Sequence, residues 1–88
     1  MQRFQDRVVL VTGGASGIGQ AIAEAFAAEG AKLAILDLNG ERAEAFAREL
    51  EADGIEAAGF GCDVSDEAAF TGAIDRAVER FGRLDVLI

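Results

Sequence analysis

The sequence predicts an α/β fold with a doubly wound parallel sheet, built in the order βαβαβαβ. Three observations predict it: short apolar or β-branched runs recur along the chain, segments with helical spacing of apolar residues separate them, and glycines or capping residues mark most junctions. Strands that alternate with helices form a parallel sheet through right-handed crossovers. Because the chain has no repeat, linker or proline, we expect residues 1–88 to form one continuous unit.

The first strand and the first helix enclose a glycine-rich turn. Val8–Thr12 is an unbroken apolar and β-branched run, typical of a central parallel strand that is covered on both faces. Gly13–Gly19 forms the turn, and Gly30 is expected as the C-cap of the helix that follows. Helical spacing predicts an inward stripe on this helix, made of Ile18, Ile22, Ala25, Phe26 and Glu29.

The second helix is predicted between two further strands. Lys32–Leu38 is the second strand, and Asn39 is the expected N-cap of a helix over Glu41–Ala52. Ile55–Cys62 is a weaker third strand, because two glycines interrupt it. The predicted inner stripe of the second helix consists of Ala43, Phe46, Ala47 and Leu50.

A third helix and a fourth strand complete the pattern. Ser65 is the expected N-cap of a helix over Asp66–Phe81, which Gly82 ends, and Leu84–Ile88 is the fourth strand. The predicted inner stripe of this helix consists of Phe70, Ala73, Ile74, Ala77 and Phe81.

Composition excludes several classes of function. Eight basic residues against sixteen acidic ones give a net charge of -8, which disfavours nucleic acid and anionic lipid as partners. With no histidine and one cysteine, Cys62, the chain cannot build a structural zinc cluster, and we expect no metal site. A lone cysteine, the absence of a leader-like N-terminus and the absence of a long apolar run predict a cytoplasmic location.

The glycine turn has the chemistry of a diphosphate site. It follows the pattern T-G-x-x-x-G-x-G from Thr12 to Gly19, whereas G-x-G-x-x-G does not fit because Ile22 occupies its third position. A diphosphate must approach the amides at the helix N-terminus, and glycine leaves that space free of Cβ atoms. Ser16 adds a hydroxyl donor. The alternative is a plain tight turn.

Asp37, at the end of the second strand, is the candidate for sugar recognition. A carboxylate there accepts hydrogen bonds from the adenosine ribose hydroxyls and repels a 2′-phosphate. Leu38 and Asn39 are uncharged, and Arg42 lies within the following helix. The sequence therefore favours NAD over NADP, the alternative for Asp37 alone being a solvated acid at a strand end.

Asp63 and Val64 follow the third strand and are candidates for the adenine contact. The carboxylate would accept from the adenine amino group, and the Val64 backbone would contact the ring. Asp63 is equally well explained as part of the helix-capping segment with Ser65 and Asp66.

These features, in this order, resemble the N-terminal half of the short-chain dehydrogenase/reductase family, over Val8 to Ile88. The resemblance implies a Rossmann-like sheet with strand order 3-2-1-4, and the segment Gly82–Ile88 is similar to the family's approach to strand four. It implies cofactor contacts from Gly13, Ser16, Gly17, Ile18, Gly19, Asp37, Leu38, Asp63 and Val64.

The catalytic part of the family pattern is missing from these residues. Family members continue into N-N-A-G, a catalytic serine and Tyr-x-x-x-Lys, whereas this sequence has no tyrosine and only one lysine, Lys32. Ser16 and Ser65 have no histidine to activate them. We therefore expect the cofactor half of an NAD-dependent alcohol/ketone oxidoreductase, truncated after the fourth strand and without catalytic residues. We expect it to be inactive alone and to be completed by a C-terminal half or by self-association.

Two alternatives from other classes stay open. One is a non-catalytic module that binds NAD, which the missing tyrosine favours for these 88 residues. The other is a methyltransferase, because those enzymes also place glycines after strand one and an acid after strand two. The threonine that opens the turn and the Gly17-x-Gly19 spacing favour a dinucleotide.

Overall fold

The computed structural model describes residues 3–88, and within them strands and helices alternate as predicted. The elements are β1 (Val8–Thr12), α1 (Gly17–Ala28), β2 (Lys32–Asp37), α2 (Gly40–Ala52), β3 (Ala57–Gly61), α3 (Glu67–Phe81) and β4 (Val86–Leu87). The strands pair in parallel in the order β3-β2-β1-β4, which confirms the predicted Rossmann-like topology.

Strand β1 lies between two neighbours and is buried on both faces. Its residue Val9 pairs with Leu33 of β2 on one side and with Val86 of β4 on the other. Val8–Val11 are fully buried. The apolar run is unbroken for the reason that the sequence predicts: both faces of β1 are covered, so neither face contacts water.

Alternate strand residues build two core layers. Val9, Val11, Leu33 and Ile35 face α1 and α2, whereas Leu10, Ala34 and Leu36 face α3. The predicted stripes of α2 and α3 are confirmed, since every member is buried or packs against one of these layers. In the described part of the chain, α1 and α2 thus cover one face of the sheet and α3 covers the other.

The predicted stripe of α1 is partly wrong. Ile18 is 80% exposed and Ala25 is also exposed. The residues of α1 that face the core are Gly19, Ile22, Ala23, Phe26 and Ala27. The close packing of Gly19 against the Gly13 carbonyl fixes which side of α1 faces the sheet. Ile18, the residue before Gly19, therefore faces solvent.

Several ends of helices and strands differ from the prediction. Glu29, not Gly30, is the C-cap of α1, and Gly30 follows it with φ of 90°. Strand β2 ends at Asp37 instead of Leu38, where the chain turns. Helix α2 begins at Gly40 instead of Glu41, with its predicted N-cap Asn39 confirmed.

Strands β3 and β4 are shorter than expected. Strand β3 spans Ala57–Gly61 instead of Ile55–Cys62, because the Ile55 amide still bonds the Leu50 carbonyl in the turn that closes α2. Strand β4 is limited to Val86–Leu87 instead of Leu84–Ile88. Backbone bonds to β1 nevertheless continue on either side of β4, through Asp85 and Ile88.

The N-cap of α3 is Asp66, not Ser65. The Asp66 carboxylate accepts from the Ala69 amide at 3.1 Å, whereas Ser65 directs both its amide and its hydroxyl to Asp63. Helix α3 therefore begins at Glu67, one residue later than predicted. Its predicted end at Gly82 is confirmed, with φ of 84°.

Candidate functional site

The predicted site residues lie on three loops at the carboxyl edge of the sheet. Thr12 of β1 pairs with Leu36 of β2, and Asp37 pairs with Gly61 of β3, so the three strands end side by side. The loops that leave these ends carry the glycine turn, Leu38 and the Asp63–Val64 pair. Ligands of open α/β sheets bind at this edge.

Three glycines of the turn are required by the chain itself. Gly13 has φ of 63°, which favours glycine. A Cβ on Gly14 would lie 2.7 Å from the Ile35 side chain, and a Cβ on Gly19 would collide with the Gly13 carbonyl oxygen. The turn therefore packs tightly on itself and on β2, and these glycines alone do not require a ligand.

Gly17 is different, because nothing in the described chain requires glycine there. It is the first residue of α1 and is exposed, its φ is not positive, and a Cβ placed on it would meet nothing within 4 Å. Among residues 3–88, no hydrogen bond engages the amides of Gly17 and Ile18. The N-terminus of α1 thus presents free N–H groups beside an open space, the arrangement that a diphosphate requires.

Two hydroxyls of the turn motif already have internal partners. The Thr12 hydroxyl donates to the Ile88 carbonyl at 2.9 Å and so links β1 to the end of the chain described here. The Ser16 hydroxyl donates to the Gly13 carbonyl at 2.7 Å and accepts from the Gly19 amide at 3.2 Å. Ser16 is therefore the N-cap of α1, and its predicted role as a donor to a ligand stays a prediction.

Asp37 lies against the glycine turn. Its Oδ2 accepts from the Ala15 amide at 3.2 Å, and its Oδ1 accepts from the Asn39 amide at 3.0 Å. The carboxylate is half-buried, and the structure brings it together with the turn. Sequence reasoning missed Ala15, because its part in this contact is a backbone N–H, which no side-chain pattern reveals.

Asp63 belongs to the segment that leads into α3. Its Oδ1 accepts from both the amide and the hydroxyl of Ser65, at 3.0 and 2.6 Å, and these bonds hold the pKa of Asp63 below its ordinary value. These bonds support the interpretation of Asp63 as part of the segment that leads into α3. Its Oδ2 has no partner within residues 3–88, so the adenine contact stays a prediction.

Exposed apolar side chains border the same edge. Ile18, Leu38 and Val64, at 80%, 78% and 50% exposure, each follow a different strand of the sheet. We call these three residues the apolar rim. A contiguous exposed apolar patch with a polar border is typical of binding sites, whereas single exposed apolar residues are ordinary. The rim places one exposed apolar side chain in each of the segments that follow β1, β2 and β3.

A depression also lies at the amino edge of the sheet. It measures about 630 Å³ and includes Asp6, Lys32, Asp53 and Glu56 in its lining, with Lys32 and Glu56 paired at 3.6 Å. Within residues 3–88, no group of acidic residues and cysteine is placed to hold a metal ion. No helix in the same range is long and apolar enough to cross a membrane.

The topology and the turn between β1 and α1 define the Rossmann-like class of α/β proteins. A family model, short chain dehydrogenase, matches residues 7–88. The chain therefore belongs to the short-chain dehydrogenase family, whose members are oxidoreductases that use nicotinamide cofactors.

The chain is similar to curated dehydrogenases and reductases. It is 50% identical to D-threitol dehydrogenase of Mycolicibacterium smegmatis over 86 residues, which are 98% of this chain and 33% of that protein. It is 51% identical to levodione reductase of Leifsonia aquatica over 85 residues, 94% of this chain and 32% of the relative. It is 48% identical to 2,5-dichloro-2,5-cyclohexadiene-1,4-diol dehydrogenase LinX of Sphingobium indicum over 85 residues, 97% and 34% of the two chains. The chain thus spans about a third of the length of the curated relatives it matches.

Proposed function

We propose that this chain is the NAD-binding N-terminal part of an oxidoreductase that acts on an alcohol or ketone. The observation that carries the proposal is the open space beside Gly17, bordered by the free amides of α1 and adjacent to the turn that Asp37 contacts. When bound, the nicotinamide would accept or donate the hydride. The residues described here would hold and orient the cofactor.

The diphosphate is assigned to the N-terminus of α1. The aligned peptide dipoles of the helix favour negative charge there, and the free amides of Gly17 and Ile18 supply hydrogen-bond donors. Gly13 and Gly19 shape the turn without side chains, and the Ser16 hydroxyl would donate to a ligand by giving up its bond to the Gly13 carbonyl. A residue larger than glycine at Gly17 would occupy the space that the phosphates need.

The adenosine is assigned to the ends of β2 and β3. Asp37 would accept hydrogen bonds from the ribose hydroxyls, and its charge would repel a 2′-phosphate, so NAD is favoured over NADP. Leu38 lies next to this carboxylate. Asp63 would bind the adenine amino group through its free oxygen, and Val64 would contact the ring.

These 88 residues are proposed to be catalytically inactive on their own. The sequence contains no tyrosine to act as a general acid or base. The single lysine, Lys32, pairs with Glu56 at the amino edge of the sheet, whereas the glycine turn lies at the carboxyl edge. Oxidation of an alcohol by the purified chain with NAD would overturn this part of the proposal.

A non-catalytic NAD-binding module is the second candidate function. The absence of tyrosine favours it for this polypeptide. The two candidates differ in what the gene encodes after Ile88. An open frame with N-N-A-G followed by Tyr-x-x-x-Lys supports the enzyme, and a stop codon supports the module.

Completion by further protein surface is also part of the proposal. Strand β4 has only two residues, and Leu87 and Ile88 are 49% and 44% exposed. Either a C-terminal half or a second copy would cover them, and a concentration-independent melt of a monomeric chain would count against both.

A cytoplasmic location completes the proposal, and the free, buried Cys62 supports a reducing compartment.

Calorimetry on the folded chain tests the cofactor assignment. We expect NAD to bind, NADP to bind at least about tenfold more weakly because of the charge of Asp37, and S-adenosylmethionine not to bind. Circular dichroism of the same sample establishes that the chain is folded. A folded chain that ignores NAD, or prefers S-adenosylmethionine, would overturn the proposal.

A further inference from the structure

Two hydrogen bonds fasten the glycine turn to the end of β2. The Gly14 amide donates to the Leu36 carbonyl at 3.0 Å, and the Ala15 amide donates to Asp37 Oδ2 at 3.2 Å. The first bond joins backbone to backbone, so it does not depend on which side chains β2 carries. The second bond depends on the side chain of Asp37. Part of the attachment of the turn is therefore specified by a single carboxylate.

The Asp37 carboxylate accepts hydrogen bonds from two amides at once. While Oδ2 holds Ala15, Oδ1 accepts from the Asn39 amide at 3.0 Å and closes the bend after β2. A carboxylate has two oxygens that only accept hydrogen bonds, whereas a side-chain amide has one accepting oxygen and one donating NH₂ group. An asparagine at this position would satisfy one of the two amides and present a donor to the other. The two bonds together thus favour a carboxylate before any ligand is considered.

The residue that Asp37 holds is adjacent to the start of α1. Ala15 is buried and directly precedes Ser16, the N-cap of the helix. On its other side, the Ala15 carbonyl accepts from the Gln20 side chain at 3.2 Å. Fixing Ala15 therefore fixes the peptide units that lead to the free amides of Gly17 and Ile18.

We propose that Asp37 is a positioning residue for the glycine turn in addition to recognising the ribose. The inference rests on the proposed function, because it assigns the same carboxylate a second task within that site. Each carboxylate oxygen accepts more than one hydrogen bond, so ribose hydroxyls can bind while the Ala15 bond persists. Recognition of the sugar and the placement of the diphosphate donors are thereby coupled through one side chain.

Amide hydrogen exchange on the 88-residue chain tests the positioning role without any ligand. In Asp37→Ala, the Ala15 and Asn39 amides should exchange at least about tenfold faster, while the Gly14 amide keeps its rate. In Asp37→Asn, one of the two amides should keep its protection and the other should lose it. Asp53→Asn removes the same charge from the C-cap of α2 at the amino edge and should change neither amide.

Unchanged exchange at Ala15 in Asp37→Ala would overturn the inference. If that variant does not fold, Asp37→Asn decides: protection lost at one amide supports the inference, and protection kept at both overturns it. Failure of the wild-type chain to bind NAD contradicts the proposed function but leaves the exchange result valid. The two failures are therefore distinguishable.

Binding of inorganic pyrophosphate gives a second readout whose sign is decisive. If Asp37 acted on phosphates only as a like charge, Asp37→Ala would bind pyrophosphate more tightly than wild type. A positioning role predicts weaker binding, by about threefold or more, because the donors lose their alignment. Equal or tighter binding by the variant would contradict the inference, and Asp53→Asn again serves as the control for charge.

Discussion

The two edges of the sheet differ in what they expose. At the carboxyl edge, the apolar rim and the free amides of α1 surround the glycine turn. The amino edge has a depression of about 630 Å³, in which Lys32 pairs with Glu56 and the other charged lining residues, Asp6, Glu24 and Asp53, are acidic. An anionic ligand is therefore disfavoured in this depression.

The polarity of a parallel sheet explains the difference. The three helices found within residues 3–88 begin at the carboxyl edge, where their N–H groups and positive dipole ends lie, and end at the amino edge. Glycines with positive φ lie after the helices at the amino edge: Gly82 is the C-cap of α3, and Gly30 and Gly54 directly follow the C-caps of α1 and α2. Gly13, at the carboxyl edge, instead shapes the space in front of a helix. An anionic ligand is thus favoured at one edge by the backbone alone.

The largest effect is expected from a methyl group at Gly19. Its Cβ would collide with backbone atoms of Gly13 and Gly14, so Gly19→Ala should lower the free energy of unfolding by about 3 kcal/mol or more. Gly54→Ala, at the amino edge, meets nothing within 4 Å and should cost only about 1–2 kcal/mol, for its positive φ. Urea unfolding measures both. Equal losses would show that the turn is not tightly packed.

Gly17→Ala should separate binding from stability. The open space around Gly17 accepts the methyl group, so the free energy of unfolding should change by less than about 1 kcal/mol. The affinity for NAD should fall at least about tenfold, because the methyl group stands where the phosphates approach. Gly72→Ala, in the middle of α3 and equally free of neighbours, is the matched control and should leave the affinity unchanged. An unaffected affinity in Gly17→Ala would remove the main support for the diphosphate site.

A smaller, pH-dependent effect is expected at the amino edge from Asp85. Its Oδ2 accepts from the Val8 amide at 2.9 Å, and Arg83 and Arg7 lie at 2.6 and 3.8 Å from its Oδ1. Hydrogen bonding to Arg83 and Val8, with the charges of both arginines, holds the pKa of Asp85 below its ordinary value.

Because the folded pKa is lowered, the stabilisation from Asp85 is present above the ordinary aspartate pKa of about 4 and is lost as the pH falls below it. Asp85→Asn should therefore lower stability at neutral pH and flatten the loss in acid. Urea unfolding midpoints, measured between neutral pH and pH about 3, give the slope of stability against pH. An unchanged slope in the variant would contradict this account of the link between β1 and β4.

The smallest effect is expected from Asp63 at the carboxyl edge. The pKa of Asp63 is lowered, as that of Asp85 is, so its contribution to stability is also lost in acid. The contribution is small because its partner Ser65 is only two residues away and both side chains are exposed. Asp63→Asn should flatten the acid dependence less than Asp85→Asn does. The same urea series measures it, and a larger effect at Asp63 would show that the bonds between Asp63 and Ser65 matter more than the link between the strands.

Most of the fold could be predicted because each strand and helix has its own local signal. The run at Val8–Thr12 predicted a buried central strand with the correct ends, and the stripe of α2 was confirmed in full. The stripe of α1 was partly wrong because its phase depends on a contact between Gly19 and Gly13, which apolar spacing does not contain. The spacing therefore predicts Ile18 in the core although it faces solvent.

The candidate site was predictable in its parts but not in its connections. Spacing identified the turn and Asp37, but the bond from Ala15 to Asp37 joins residues of different loops through a backbone amide. The sequence predicts the cap of α3 at Ser65, which is wrong because Asp63, Ser65 and Asp66 are all residue types that cap helices. Only the backbone path, in which Asp63 binds Ser65, leaves the cap to Asp66.

The most direct test of the cofactor site is an NMR titration of the isotope-labelled chain with NAD. We predict saturable shifts of the amides of Gly13, Gly17 and Ile18 at the carboxyl edge, while those of Gly30 and Gly54 at the amino edge stay in place. Shifts confined to the amino edge, or a folded chain whose amides do not respond to NAD, would contradict the account.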